Sequence, residues 1–468
     1  MARVERKERP VTFSLTQGNE ILLGTDFLAT FKAKLELDYT TRFSLSCYCF
    51  GLILALLWAL PPATAGEFFF RDGDVVVMIG DSITEQHLYS NYVEMWTVTR
   101  FPAWQLTFRN VGIGGDRSTG GNSRFKRDVL AYKPTAMTVD FGMNDGNYKP
   151  FDEPAFLTYI QGLQGMANQA KEANIRVAWV TPQPLDTGDQ GSTALTGYNQ
   201  TLEKFSDGVK TVAEKNGGLF VDQFHPYLAV LDKVRTAAAK YDRITGGDAV
   251  HPGPPGQSLM AAAILKGLDF PTLVSAVEIN AADQRIVTAK NCQVTEISVK
   301  NGGLAFQRLD RALPFFPAEA ASILRNSPIL DELNDYSMKV TGLKAGQYEV
   351  QLGGQKVAQH TADELAQGVN LASAALAAGP IAEQVKAVKA AIENKNRFHH
   401  ERIFRGVVLA NIDVLSDWLG LKLLPAEIEA KRQAAYEERM AKLAELDAEV
   451  RKTLEMKPYP VELTLVAR

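Results

Sequence analysis

The chain has 468 residues, of which 46% are hydrophobic, and a formal net charge of −4. This length can bury a large core and is sufficient for two or three domains. Because the chain lacks a strong positive charge, we expect no nucleic-acid partner.

The N-terminal region predicts export. Arg42 is followed by the apolar run Phe43–Leu60 and then by Ala63-Thr64-Ala65, the order of charge, apolar region and cleavage site that is typical of a secretory signal. Residues 42–65 are therefore predicted to be a signal peptide, and the protein to be secreted or periplasmic. The alternative is an uncleaved N-terminal anchoring helix, since the run approaches spanning length. Residues 1–41 are interpreted as a non-native or disordered N-terminal extension.

Cysteine usage predicts no disulfide framework. Of three cysteines, Cys47 and Cys49 lie in the predicted signal, which leaves Cys292 alone. The sequence contains no CxxC pair and no HExxH motif. We therefore expect neither a metal nor another cofactor.

Short apolar runs alternate with segments of helical periodicity between residues 66 and 270, which predicts one α/β domain with a parallel sheet. The predicted strands are 75–79, 106–111, 135–141, 175–180 and 218–222. The predicted helices are one marked by Leu88, Tyr92, Met95 and Trp96, then 156–173, 194–216 and 256–268.

Polar signatures follow these strands, at the edge of the sheet where ligands of such folds bind. Ser82 follows the first strand, Gly115 the second and Asn144 the third, while His251 lies in the loop before the last helix. A serine needs a base to become a nucleophile, and histidine is suited to that role near neutral pH. Asp248, three residues before the histidine, can hold its other ring nitrogen. Glycine and asparagine can supply oxyanion donors.

Four motifs in this segment, GDSI at 80–83, NVGIGGD at 110–116, GMND at 142–145 and DAVHPG at 248–253, resemble the four blocks of the SGNH (GDSL-type) hydrolases in the family's order. The resemblance covers about residues 74–268. It implies a three-layer α/β/α, flavodoxin-like sandwich. It also implies that Ser82 is the nucleophile, His251 the base and Asp248 its orienter. The implied oxyanion donors are the Ser82 and Gly115 amides and the Asn144 side chain.

Simpler interpretations of these residues remain open. Ser82 could be a helix-starting turn residue, Gly115 a turn glycine only, and Asn144 a capping residue. Asp116 and Asp145 are expected to cap loops rather than react. Asp81 and the buried Ile83 are likewise expected to be structural.

A second Asp-x-x-His-Pro pattern occurs in this segment, at Asp222 and His225. Asp222 closes a predicted strand, so the sheet could direct its carboxylate elsewhere. The His251 loop is rich in glycine and proline, and it precedes the last helix of the domain. We therefore expect His251, and not His225, to be the base.

The remaining chain predicts a C-terminal extension that is first β-rich (271–370) and then α-helical (371–468). A hairpin is expected through Gly353-Gly354. The β-rich part could be an extension of the first domain or a separate module. A stripe of Tyr436, Met440, Leu443, Val450 and Leu454 is expected to pack on the parent domain. His399 and His400 are expected at the surface.

The resulting hypothesis is a secreted serine esterase that hydrolyses acyl esters through an acyl-serine intermediate. Acetyl esters of carbohydrates are the favoured substrates, and the partner is a small-molecule or glycan ester. No stable membrane partner is expected after signal cleavage. The alternative is a non-catalytic protein that binds glycan or cell wall and uses the SGNH domain as a scaffold.

Overall fold

The computed structural model of the chain describes residues 67–188, 195, 197–237, 240–300, 302–410 and 425–466. The predicted extension 1–41 and signal peptide 42–65, with Cys47 and Cys49, lie outside these residues. The described residues from Glu67 onward form one compact unit. Within them, no helix has the length and apolar character needed to cross a membrane.

A five-stranded parallel sheet with flanking helices occupies the first half of the described chain, as the sequence predicts. Its strands are β1 (Val75–Gly80), β2 (Thr107–Asn110), β3 (Ala136–Asp140), β4 (Arg176–Val180) and β5 (Leu219–Val221). The helices are α1 (Ser82–Glu85), α2 (Leu88–Arg100), α3 (Ser118–Asp128), α4 (Glu153–Glu172), α5 (Tyr198–Asn216), α6 (Phe224–Ala237) and α7 (Pro254–Gly267). A short 3₁₀ turn spans Leu130–Tyr132.

The strand order β2-β1-β3-β4-β5 is that of a flavodoxin-like fold. Alternate side chains of β1 enter two separate cores because successive residues of a strand point to opposite faces. Val76 and Met78 pack with α2 and α7, whereas Val77 and Ile79 pack with α3, α4 and α5. The three-layer α/β/α architecture is thus confirmed, and the carboxyl ends of β1, β2 and β3 meet at one edge.

The predicted C-terminal extension carries two further sheets. The strands are β6 (Leu273–Asn280), β7 (Arg285–Lys290), β8 (Cys292–Lys300), β9 (Gly303–Asp310), β10 (Asp335–Thr341), β11 (Gln347–Leu352), β12 (Gln355–Thr361), β13 (Val369–Asn370) and β14 (Tyr459–Leu465). Their order is β13-β10-β6-β7 in one sheet and β12-β11-β14-β9-β8 in the other. The predicted hairpin is present between β11 and β12, with Gly353 and Gly354 both at positive φ.

Several helices accompany these sheets. They are the 3₁₀ segment Ala318–Arg325, α8 (Ile329–Leu333), α9 (Ala362–Gln367), α10 (Ala372–Ala377), α11 (Pro380–Phe398), the π-helix His399–Val408 and α12 (Pro425–Thr453). Of the predicted stripe, Leu443 and Val450 in α12 and Leu454 just after it are buried, whereas Tyr436 and Met440 are partly buried.

The end of the chain corrects the expectation of a wholly helical region over 371–468. Tyr459–Leu465 forms β14, which pairs with both β11 and β9. Its side chains alternate between buried and more exposed, and Tyr459, Val461 and Leu463 face inward. This period of two is the pattern of a half-buried strand.

The helical part of the extension is joined to the first domain by buried polar contacts. The Lys395 ammonium donates to Glu94 of α2, and Asn396 donates to the same carboxylate at 2.8 Å. Arg109 of β2 donates to Asp447 of α12 at 3.2 Å. One hydrophobic cluster also runs from α2 and α7 into the β-rich part. These contacts favour the interpretation of the extension as part of one folded unit.

The expectation that His399 and His400 lie at the surface is wrong. His399 is only 1% exposed and its Nε2 lies 2.8 Å from the Tyr132 hydroxyl. Burial lowers its pKa well below the ordinary value. His400 is half-buried and stacks edge-on against His87. A basic, polar stretch of sequence gave no sign that a π-helix would turn this face inward.

Candidate active site

Ser82 lies immediately beyond the carboxyl end of β1, an interior strand of the sheet. Asp81 caps the short helix α1, because its Oδ1 accepts a hydrogen bond from the Ile83 amide at 3.0 Å. Gly80 permits the sharp strand-to-helix turn, since a Cβ there would lie 2.6 Å from the carbonyl oxygen of Asp140. Ile83 is buried, as expected. Strand, cap and glycine thus hold the Ser82 side chain at the sheet edge.

The structure brings Ser82, His251 and Asp248 into one hydrogen-bonded chain. The Ser82 Oγ lies 2.9 Å from His251 Nε2, and His251 Nδ1 lies 3.1 Å from Asp248 Oδ2. Burial raises the pKa of Asp248, but hydrogen bonds from the His251 and Val250 amides and from the His251 ring outweigh it, so this pKa lies below its ordinary value. An ionised carboxylate only accepts hydrogen bonds. The ring therefore keeps its proton on Nδ1 and offers the Nε2 lone pair to the serine.

The loop that carries this pair folds back on itself. Asp248 Oδ1 accepts from the amides of Val250 and His251, each at 2.7 Å. Gly247 precedes it at φ +64°, and a Cβ there would lie 2.1 Å from the carbonyl oxygen of His251. A side chain at that position is therefore excluded both by conformation and by space.

The second Asp-x-x-His pair also forms, but it is not in contact with Ser82. His225 Nδ1 lies 2.7 Å from Asp222 Oδ2, and its Nε2 faces Glu203 at 3.6 Å. The His225 side chain is 52% exposed at the start of α6. Geometry thus distinguishes two pairs that spacing alone could not.

The loops after β2 and β3 carry the predicted oxyanion donors. Gly115 is exposed at φ +72°, and the space where its Cβ would lie is open. Asn144 Nδ2 donates to the carbonyl oxygen of Asp116 at 3.0 Å and makes a longer contact of 3.3 Å with Asp81 Oδ2. One amide hydrogen of Asn144 is therefore firmly bonded, and the other is only weakly engaged.

Three acidic side chains of the motifs hold these loops, as expected. Asp145 Oδ1 accepts from the Ser118 amide at 2.9 Å and from its hydroxyl at 2.7 Å. Asp116 forms an ion pair with Arg124 at 2.7 Å. Burial raises the pKa of Asp81 to about 7 and that of Asp145 to about 6. Their contacts are with the loops that surround Ser82.

Several residues that hold the site were missed from the sequence. The buried Arg124 donates to the carbonyl oxygens of Gly80 and Val111, at 3.1 and 2.7 Å, and so ties the β1 and β2 loops together. Asp186 accepts from the Thr245 hydroxyl at 2.9 Å beneath the His251 loop. Gln257 donates to the Pro252 carbonyl oxygen at 3.0 Å. None belongs to a motif, and only their burial in the folded chain reveals them.

Comparison with known proteins agrees with this geometry. The family model described as GDSL-like Lipase/Acylhydrolase family matches residues 78–259. Residues 78–259 form an SGNH hydrolase domain. This segment makes the protein an ester hydrolase, and the resemblance seen in the four motifs is confirmed.

Two relatives extend the comparison. An acetylxylan esterase from Geobacillus stearothermophilus is 26% identical over 220 residues, which cover 42% of this chain and 95% of that protein. The solved structure of a gut microbial diltiazem-metabolizing enzyme is 25% identical, with a TM-score of 0.73, and the match covers 85% of this chain and 98% of that one. The second match therefore includes much of the C-terminal extension as well as the SGNH hydrolase domain.

The described residues give no sign of a metal centre. They contain no group of three or more His, Cys, Asp or Glu side chains placed to hold a metal ion. Cys292 is buried with a free thiol, and burial raises its pKa.

Proposed function

We propose that this SGNH hydrolase cleaves its ester through an acyl-serine intermediate, with Ser82 as nucleophile, His251 as base and Asp248 as its orienter. The observation that carries the proposal is the continuous chain from Ser82 Oγ through the imidazole to the Asp248 carboxylate. A non-catalytic, glycan-binding role is less well supported, because a scaffold has no need of a base in contact with the serine.

In the first half-reaction, Ser82 Oγ attacks the ester carbonyl carbon while its proton passes to His251 Nε2. The carbonyl oxygen becomes an oxyanion, which accepts hydrogen bonds from the Ser82 and Gly115 amides and from Asn144 Nδ2. The C–O bond then breaks, and the leaving alkoxide takes the proton from the imidazolium. Water repeats the sequence on the acyl-serine and releases the carboxylic acid.

The acyl group we propose is acetyl, and the alcohol is a carbohydrate hydroxyl. Support comes from the relative that is an acetylxylan esterase, since the match covers 95% of that protein. The structural neighbour is a diltiazem-metabolizing enzyme, so a small drug-like ester is the alternative substrate class.

A substrate panel tests both the reaction and the acyl preference. Purified protein would be given acetylated xylooligosaccharides, diltiazem and aryl esters of increasing acyl length. We expect release of acetate from the oligosaccharide and a kcat/KM that falls from acetyl to longer acyl groups. Ser82→Ala should abolish all of these activities. A preference for long acyl chains, or no turnover of any acetylated glycan, would contradict the proposed specificity.

We also propose that the protein is exported, with cleavage after Ala65. The support is the sequence order of Arg42, the apolar run Phe43–Leu60 and the small residues before Gly66. N-terminal sequencing of exported material should begin near Gly66. Exported protein that still contains Cys47 would indicate an anchor instead.

A further inference from the structure

The loop that follows the GMND motif contains two successive non-glycine residues in the left-handed region. Asn147 has φ +55° and Tyr148 has φ +57°. This conformation costs free energy for residues with a Cβ, and it persists only where surrounding contacts enforce it. Here the Asn147 amide donates to the Asn144 carbonyl oxygen at 3.2 Å, and Arg117 donates to Asn147 Oδ1 at 2.7 Å. The contact with Arg117 joins this loop to the one that carries Gly115.

This turn brings the hydroxyl of Tyr148 onto the side chain of Asn144. The Tyr148 hydroxyl donates to Asn144 Oδ1 at 2.8 Å, while the ring packs against Tyr198 with centroids 5.2 Å apart. Burial raises the pKa of Tyr148 to about 12. The phenol thus keeps its proton and remains a donor throughout the neutral range.

The amide of Asn144 is therefore held at both ends. Its oxygen accepts from Tyr148, and its nitrogen donates one hydrogen to the carbonyl oxygen of Asp116. A carbonyl oxygen cannot donate and the Tyr148 phenol is protonated, so the two contacts together fix which end of the amide is nitrogen. The second hydrogen on Nδ2, which has only the 3.3 Å contact with Asp81, is the one that remains for an oxyanion.

We propose that Tyr148 is a positioning residue that orients and polarises the Asn144 amide as an oxyanion donor. This inference rests on the proposed function, in which Asn144 stabilises the transition state. A hydrogen bond accepted at Oδ1 draws electron density from the amide and makes its N–H a stronger donor. The benefit arises where negative charge develops on the substrate oxygen, and so it belongs to the transition state and not to substrate binding.

A double-mutant cycle tests the inference, with kcat and KM measured on an aryl acetate. Tyr148→Phe keeps the ring against Tyr198 and removes only the hydroxyl. We expect it to lower kcat about three- to tenfold, the range that one net hydrogen bond provides, with KM changed less than twofold. Asn144→Ala should lower kcat by about 10²–10³-fold. In the Asn144→Ala background, Tyr148→Phe should change kcat by less than twofold, because the group it positions is gone.

Tyr132→Phe is the matched control, since it also removes the hydroxyl of a partly buried tyrosine that is hydrogen-bonded to a side chain, His399. It should leave kcat unchanged, and unfolding midpoints would report any general loss of stability. If Tyr148→Phe lowers kcat by the same factor in the wild type and in the Asn144→Ala background, the positioning role is overturned. An unchanged kcat for Tyr148→Phe alone would overturn it as well. If Asn144→Ala itself retains full kcat, the oxyanion assignment in the proposed function fails instead.

Discussion

Replacing His251 or His225 by alanine gives the sharpest test of the assignment of the base, because the two residues share the same Asp-x-x-His-Pro sequence. Both histidines bond their aspartate through Nδ1, at 3.1 and 2.7 Å. They differ in what Nε2 faces, which is Ser82 at 2.9 Å for His251 and Glu203 at 3.6 Å for His225. Only the first can accept the serine proton.

The magnitude follows from the loss of that acceptor. Removing the base of a serine triad lowers kcat by about 10⁴–10⁶-fold, which corresponds to about 5–8 kcal/mol of transition-state stabilisation. His251→Ala should show this loss. The half-exposed His225 should tolerate alanine with less than a twofold change. Initial rates on an aryl acetate, with unfolding midpoints to confirm folding, provide the assay. A folded His225→Ala protein without activity, beside an active His251→Ala protein, would refute the reasoning.

Three other changes test how the site is supported. Gly112→Ala should destabilise the fold by about 1–3 kcal/mol or more in urea unfolding, because its Cβ would lie 2.4 Å from the Glu85 amide nitrogen; an unaltered midpoint would contradict this packing. Burial raises the pKa of Asp81 from 3.8 to about 7, so its stabilising effect is present in acid and lost as pH rises from about 4 to 7. The free energy of unfolding of Asp81→Asn should therefore rise relative to that of the wild type by up to about 4 kcal/mol across that interval. Unfolding free energies of the two proteins that run parallel with pH would contradict this prediction. Lys395→Met leaves Glu94 buried without its cation and should lower the free energy of unfolding by about 3–5 kcal/mol. A loss below about 1 kcal/mol would mean that this contact between the extension and the first domain contributes little to stability.

Much of the first domain could be predicted from the sequence because its signals are local. Each predicted strand of the sheet is present, and its bounds differ by at most one residue at each end. Ser82, Gly115 and Asn144 could be assigned to one site because each follows a parallel strand, and such strands bring their carboxyl ends to the same edge. The family resemblance added His251, which lies in the loop before the last helix. The predicted helix over 194–216 begins at Tyr198, and Ala194 lies outside the described residues.

The contacts that hold the site could not be predicted, because they depend on partners distant in sequence. Nothing near Tyr148 indicates that two left-handed residues turn its hydroxyl toward Asn144. Likewise, a polar stretch around His399 gave no sign of a buried π-helix. The β14 strand was missed because its alternating pattern is short and follows a long helix. Local periodicity indicates whether a segment is a helix or a strand. The positions of these side chains and segments depend instead on the tertiary packing around them.

The most direct test of the central claim is the site of covalent labelling by a fluorophosphonate, which reacts with an activated serine. Folded protein would be labelled, digested and analysed by mass spectrometry. The account predicts one adduct, on the peptide that contains Ser82, and its loss in both Ser82→Ala and His251→Ala. Folded, wild-type protein that forms no adduct, or that carries it on another serine, would contradict the claim that Ser82 is the nucleophile of this ester hydrolase.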